Sequence, residues 1–310
     1  MSLLSRKRLL RAKIESTYGT DPTPAGSDAV LVRSIEITPL NADVVERELI
    51  RPYLGNFEQL LGNQHVEITF EVELAGSGTA GTAPAWGPIM RACGLGETII
   101  ASTSVAYAPV STGFESCTIY FDNDGILHKI TGCRGTFSIT AEVNAIPVIS
   151  FTMMGIYNAP TDTALPTASY SNQADPVLFR TGNTSSFSIF GYSGILQSFN
   201  LDIANENIYR ELIGGTKQVL ITDRKPAGEV VVEAVSLATH DFFTDATGTS
   251  TGGLSFTHGT VAGNIVAFSS PQTDLGAPTY SDQDGIQMIS LPYTSTPTTA
   301  GNDELSLTLT

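Results

Sequence analysis

The chain has 310 residues, 41% of them hydrophobic, and a formal charge of −15 from 16 basic and 31 acidic side chains. That apolar content is enough to bury a core and excludes wholesale disorder, while the length suits two ordinary domains or one large β domain. No apolar run approaches the roughly 20 residues of a membrane span. None of about 7–15 residues follows the basic N-terminus to make a signal peptide either. The expectation is a protein without a membrane partner that stays in the compartment where it is made.

Charge is unevenly placed. Arg6, Lys7, Arg8, Arg11 and Lys13 lie in the first 13 positions, which leaves 11 basic against 31 acidic residues beyond them, a net −20. Such a body repels nucleic acid, because affinity for phosphate comes from Lys and Arg neutralising it. Leu3, Leu4, Leu9 and Leu10 among these bases suggest a short helix. Thr17-Tyr18-Gly19-Thr20-Asp21-Pro22-Thr23-Pro24 cannot continue it, since proline lacks a donor and restricts its predecessor. Residues 1–28 therefore read as an N-terminal arm.

Beyond the arm the pattern is strand and turn. Val66-Glu67-Ile68-Thr69-Phe70-Glu71-Val72-Glu73-Leu74 alternates strictly, the period-2 mark of a half-buried strand. Residues 118–121, 136–143, 148–153 and 305–309 read the same way. Loops rich in Gly, Ser, Thr and Pro separate them at 75–84, 158–186, 244–253 and 293–302. Two short segments read as helix. Trp86, Ile89, Met90 and Cys93 fall on one helical face within residues 85–93. In residues 239–246, Thr239 is positioned to cap a helix that buries Phe242, Phe243 and Ala246.

These elements recur in order. Ser34-Ile35-Glu36-Ile37 matches Ser198-Phe199-Asn200-Leu201, and Arg47-Glu48-Leu49-Ile50 recurs identically at Arg210-Glu211-Leu212-Ile213. Glu67-Ile68-Thr69-Phe70-Glu71-Val72 aligns with Glu229-Val230-Val231-Val232-Glu233-Ala234. The helices come next, and then Asp122-Asn123-Asp124-Gly125-Ile126 answers Asp282-Gln283-Asp284-Gly285-Ile286. The offset stays between about 160 and 164 residues, as an internal duplication requires. The domain layout that follows is an arm (1–28), a first β domain (29–157), a linker (158–186) and a second β domain (187–310).

Constellations for chemistry are missing. His65, His128, His240 and His258 lack metal-ligand spacing. Cys93, Cys117 and Cys133 form an odd set with no CxxC, against both a disulfide scaffold and a zinc site. Gly191-Tyr192-Ser193-Gly194 falls short of a nucleophile elbow. Gly76-Ser77-Gly78-Thr79-Ala80-Gly81 matches GxGxxG but sits among strands that alternate like a one-sided antiparallel sheet, so it reads as a flexible loop. Asp122-Asn123-Asp124-Gly125 opens like a calcium loop without the later acidic ligand, and Asp-Gly between apolar runs signals a tight hairpin instead. No catalytic residue, cofactor or metal is expected, and the chain is not expected to be an enzyme.

The opening Lys13-Ile14-Glu15-Ser16-Thr17-Tyr18-Gly19-Thr20-Asp21-Pro22, followed by the Ser34 strand and Arg47-Glu48-Leu49-Ile50, resembles the major tail tube proteins of long, non-contractile-tailed bacteriophages. The resemblance covers most of the first half and reaches the second through the repeat. It implies an all-β fold with one short helix per domain, as two tandem β-sandwich domains of tail-tube type whose strands join an intersubunit β-barrel. Rings of six domains would stack into a conduit for viral DNA. With two domains per chain, a homotrimer makes a pseudo-hexameric ring; a homohexamer is the alternative.

The resemblance further implies a long loop that reaches the next ring, at residues 40–65 with Arg47, Glu48, Tyr53, Leu54, Phe57, Leu60 and Leu61, and at residues 204–228 with Arg210 and Glu211. A core-packed helix over residues 49–61 is the competing reading of the first loop. The arm, through Arg6, Lys7, Arg8, Arg11 and Lys13, would meet acidic surface on a neighbour. Glu67, Glu71, Glu73, Glu229 and Glu233, opposite the core, are candidates for carboxylates that face the lumen and keep passing double-stranded DNA from sticking. Implied partners are the chain itself, tape measure, tail terminator and distal tail proteins, in a virion tail assembled in the host cytoplasm. The rivals are another virion component, such as a tail terminator or decoration protein, and a β-sandwich carbohydrate-binding module. The latter needs exposed aromatic platforms, and the single Trp86 offers poor support.

Overall fold

In a computed structural model, which describes residues 3–310, half the residues lie in strands and 5% in helix. The all-β expectation is met. The first part of the chain forms β1 (Arg8–Ile14), β2 (Ala29–Val30), β3 (Ser34–Val45), β4 (Leu60–Glu73), helix α1 (Gly87–Ala92), β5 (Leu95–Ile100), β6 (Ser104–Pro109), β7 (Cys117–Asn123), β8 (Ile126–Glu142) and β9 (Val148–Tyr157). After β10 (Thr161–Asp162) come β11 (Thr184–Ile189), β12 (Leu196–Asp202), β13 (Asn205–Arg210), β14 (Gln218–Arg224) and β15 (Ala227–Glu233). Helix α2 (Phe242–Thr247), β16 (Gly252–His258), β17 (Val266–Leu275), β18 (Thr279–Gln283), β19 (Ile286–Ser295) and β20 (Ser306–Leu309) complete the fold.

Alternation decides the layering. β4 turns Val66, Ile68, Phe70 and Val72 into the core and Glu67, Thr69, Glu71 and Glu73 away from it. It sits in an antiparallel sheet ordered β3–β4–β9–β8–β12–β15–β19–β18. A second set of strands runs β5–β6–β20–β17–β16–β11, while β2–β1–β7 attaches to the first half of β8. The apolar faces enclose one continuous core. Helix α1 plugs it with Trp86, Ile89, Met90 and Cys93, all fully buried, and the Trp86 indole N–H donates to the Ala75 carbonyl at 3.0 Å. Phe199 meets Phe256 and Phe268 with ring centroids 4.7 and 4.9 Å apart, the edge-on packing that aromatic quadrupoles favour.

Strands cross the expected domain boundary in both layers. Residues 138–142 of β8 pair with 202–198 of β12, and β20 at the C-terminus pairs with β6. The expected linker is strapped down rather than slack. Its β10 pairs with β8, Ser169 N–H donates to the Gly26 carbonyl, and Phe179 is buried edge-on against Phe256. The GxGxxG loop is likewise pinned rather than flexible. Gly76 N–H donates to Asn264 Oδ1 at 2.8 Å and Gly78 N–H to the Gly263 carbonyl at 2.9 Å.

The matched segments do not all occupy corresponding places, because in strand order β18–β19 stands where β8–β9 does and the Asp284-Gly285 turn lies beside Val143 and Asn144 rather than in the place of Asp124-Gly125. Both Asp-Gly pairs close two-residue hairpins, β7–β8 and β18–β19, with positive φ at Asp124, Gly125, Asp284 and Gly285; glycine takes that conformation without strain. β3 pairs with β4 as β12 pairs with β15, but the register differs. Ser34 faces Glu71, whereas Ser198 faces Val231, two residues short of the matched Glu233. A slip of two keeps every side chain on its face. Helix α2 forms too, capped not by Thr239 but by Asp241, whose carboxylate accepts from the N–H groups of Phe243 and Thr244 at 3.1 Å. Phe242 is buried and Phe243 is exposed, so α2 buries less than its sequence suggests.

The N-terminal segment is a strand, not a helix. β1 pairs along its whole length with β7, from Arg8 opposite Asn123 to Ile14 opposite Cys117. Its bases meet acids of their own chain: Lys7 with Asp124 at 3.8 Å, Lys13 with Asp28 at 3.9 Å, and Arg11 with Asp122 at 2.8 Å. Arg6 and Arg8 are exposed. The Arg11–Asp122 pair is bidentate, and Arg11 Nη1 also donates to the Pro24 carbonyl. Burial pushes the Asp122 carboxyl up from its ordinary value, and Arg11 works against that rise. Removing one partner of a buried pair strands the other charge. Arg11→Ala should therefore destabilise the fold by about 3–5 kcal/mol in denaturant unfolding; a loss within experimental error would show that the pair is dispensable.

Candidate assembly surfaces

Two long hairpins leave the main sheet at the same end. The first extends β3 and β4 beyond the core, with Val45 opposite Leu60 and Val44 opposite Leu61, and ends in an irregular tip at residues 46–59. No helix forms there, and the apolar residues are bare: Tyr53, Leu54, Leu60 and Leu61 are all exposed. Within the tip Arg47 pairs with Glu58 at 3.3 Å and Arg51 stacks over Phe57 and Tyr53. Glu48 is exposed. The second hairpin, β13–β14, is a separate two-stranded sheet that ends at residues 211–217, with Glu211 paired to Lys217. The repeated Leu-Ile pair is presented alike at both tips, at 52% and 104% exposure for Leu49 and Ile50 and 53% and 108% for Leu212 and Ile213.

The stems behave differently. β13–β14 packs back against β8, β9 and β4 in its own chain. Asn205 Nδ2 donates to the carbonyls of Cys93 and Gly135, and the Tyr209 ring stacks on His65 with centroids 4.9 Å apart. Arg134 Nη1 donates to the Val219 carbonyl at 2.8 Å, and Val219 N–H donates to the Tyr18 hydroxyl at 2.6 Å. At the other end of the stem Arg224 pairs with buried Glu304 and donates to the Val110 carbonyl. The β3–β4 stem covers no equivalent surface within the chain, although its Asn41 corresponds to Asn205 in the repeat.

The rest of the outward face is acidic. Glu67, Glu71, Glu73, Glu229 and Glu233 all project from it, as the alternation predicts, and the register adds Glu36, Glu142 and Asp202. Between them stand Ser and Thr: Ser34 and Ser150 flank Glu71, and Ser138, Thr140, Ser198 and Asn200 line the β8–β12 seam. The basic residues on these strands are engaged within the chain, Lys129 by Asp21 at 3.4 Å and Arg134 by the Val219 carbonyl of β14. Both edges of this eight-stranded sheet stay open among the described residues. β3 pairs only with β4, and β18, exposed at all five positions, pairs only with β19.

The family sequence model for phage tail tube protein matches residues 5–295. The chain belongs to that family. Comparison with curated proteins gave no match.

Among the described residues no three His, Cys, Asp or Glu side chains converge as metal ligands, and no helix is long and apolar enough to cross a membrane. Asp122, the first carboxylate of the calcium-like loop, is held by Arg11. All three cysteines are free and buried, and burial pushes the Cys93 and Cys133 thiols well up. The motif at residues 13–22 has a job that periodicity does not reveal. Buried Glu15 accepts hydrogen bonds from Ser116, Thr118, Gly132 N–H and Gly19 N–H at 2.6–2.7 Å. Tyr18 then joins the halves, donating to the Gly132 carbonyl while it accepts from Val219.

Tyr18→Phe leaves Val219 N–H without its acceptor, which should cost about 1–3 kcal/mol and speed hydrogen exchange at that amide. Burial raises the Tyr18 hydroxyl to about 12. An unfolded tyrosine ionises near pH 10, so its stabilising share is intact below that pH and is lost as pH rises towards 12. The variant should flatten part of this alkaline loss; an unchanged profile with unchanged exchange would rule out the Tyr18 link.

Proposed function

We propose that the chain is a self-assembling tail tube subunit, that it arose by tandem duplication, and that three copies close a pseudo-hexameric ring which stacks into the conduit for genome ejection. The observation that carries this reading is the pairing of β8 with β12. It joins four strands of the first half (β3, β4, β9, β8) to four of the second (β12, β15, β19, β18) in one antiparallel sheet. Because β12 matches β3 in the repeat, the seam inside one chain serves as a template for a seam between chains, with β3 of one copy meeting the open β18 side of the next.

Eight strands from each of three chains then make a barrel of 24. At a strand spacing of about 4.8 Å and the usual tilt, its backbone diameter is roughly 35–50 Å, wide enough for a duplex to pass. Six such chains would double the strand number, so three are favoured. Closure also satisfies the edge N–H and C=O groups that otherwise invite indiscriminate pairing. The outward face with its carboxylates becomes the lumen, where like charge keeps phosphate off the wall. The hairpin tips bridge one ring to the next.

Negative-stain microscopy of the purified chain should show rings and tubes; isolated monomers at high concentration would reject the assembly. A terminator would instead make a ring and stop. Converting Glu71 and Glu229 to Lys should leave tubes intact, make them retain double-stranded DNA at low salt and slow genome ejection. Ejection at the normal rate would remove the electrostatic role of the lumen. Replacing Ile50 and Ile213 together by Asp should leave the melting temperature of the subunit within about 2 °C, since neither side chain is buried, and should abolish tubes. Tubes of normal length would clear the tips of a stacking role.

A further inference from the structure

We infer that the Leu212-Ile213 tip of one copy docks into an apolar depression between the two halves of another copy, at the opposite rim of the sheet. This names the receiving surface for ring stacking and so rests on the tube reading.

The tip is built in advance of any partner. Gly215 N–H closes on the Leu212 carbonyl at 3.0 Å, and Gly214 takes φ +80°, a turn conformation natural to glycine. Ile213 is therefore held at the corner of a tight turn with its side chain wholly in water. A side chain on a backbone already fixed loses little freedom when a partner covers it. Left uncovered, it is a liability to solubility.

The receiving surface lies at the far end of the same strands. β12 starts at that rim and runs towards the β13–β14 hairpin, so head-to-tail stacking brings the tip of one ring to this rim of the next. Two adjoining depressions, of about 540 and 400 Å³, share Val143, Asn144, Ile195 and Leu196. Ile195 is 62% exposed, at the seam where the halves meet. Glu142, Glu233 and Asp284 stand on the margin against the single base Arg180, a net −2. In the second tip Lys217 and Glu211 pair and cancel, and Arg210 at the end of β13 beside them brings the net charge to +1. The first tip has Glu46, Glu48 and Glu58 against Arg47 and Arg51, a net −1, and would meet like charge. Electrostatic complementarity thus assigns the second tip to the depression.

The native cysteines are buried, so an introduced pair reports without background. Tubes of the Ile213→Cys/Ile195→Cys chain, mildly oxidised, should give a ladder of disulfide-linked chains on a denaturing gel. Neither single variant should do so, nor should Ile50→Cys/Ile195→Cys. Tubes without that ladder overturn the docking but leave the tube reading standing, as does a ladder from the Ile50 pair alone. A chain that stays monomeric overturns both. Ile195→Glu, at an exposed position, should fold normally, still form single rings and lower the sedimentable tube fraction at least about tenfold. Tubes at the wild-type yield would also overturn the assignment.

Discussion

The molecule depends on how sheet edges are satisfied. A strand at an edge carries a row of N–H and C=O groups that must find partners or water. Inside the chain the edge of β8 is answered by β12, and that pairing fuses the strands of two halves into one sheet. The same need is unmet at β3 and β18 among the described residues. In the proposed ring, a sheet that answers its own inner edge and leaves both outer edges bare is completed by another copy of itself.

The second hairpin and the N-terminal strand make that sheet rigid. β13–β14 packs against the first half and is tied there by Asn205, Tyr209, Arg134 and Tyr18, while Arg224 anchors its base to Glu304. β1 fastens to β7 and carries Glu15 and Arg11 into buried, fully bonded positions. Buried charges are tolerated only with such complete bonding, so these residues set a demanding geometry inside the first half. The cover is one-sided. Among the described residues the first hairpin has no matching seat in its own chain.

Much of this was legible in the residues. Strict alternation in β4 placed Glu67, Glu71 and Glu73 opposite the core, and helical spacing placed Trp86, Ile89, Met90 and Cys93 on the buried face of α1. The twin Asp-Gly turns were readable because left-handed backbone leaves few choices of residue. Other features were not. The N-terminal leucines and bases suit a short helix locally, yet they form a strand because β7 offers an open edge and Asp122 a buried partner for Arg11. Exposure of residues 49–61 was equally hidden, since an apolar run looks the same whether it faces its own core or another molecule.

Sequence alone determined the all-β class, the acidic body and the paired turns and helices, because periodicity, net charge and turn chemistry are local properties of the chain. Tertiary structure decided which edges meet, that strands and core run across the expected domain boundary, that one hairpin is seated while the other is free, and that β12–β15 sits two residues out of step with β3–β4. Those outcomes depend on contacts between residues far apart in the chain, and a strand's pattern of faces says which side is buried but not which strand lies beside it.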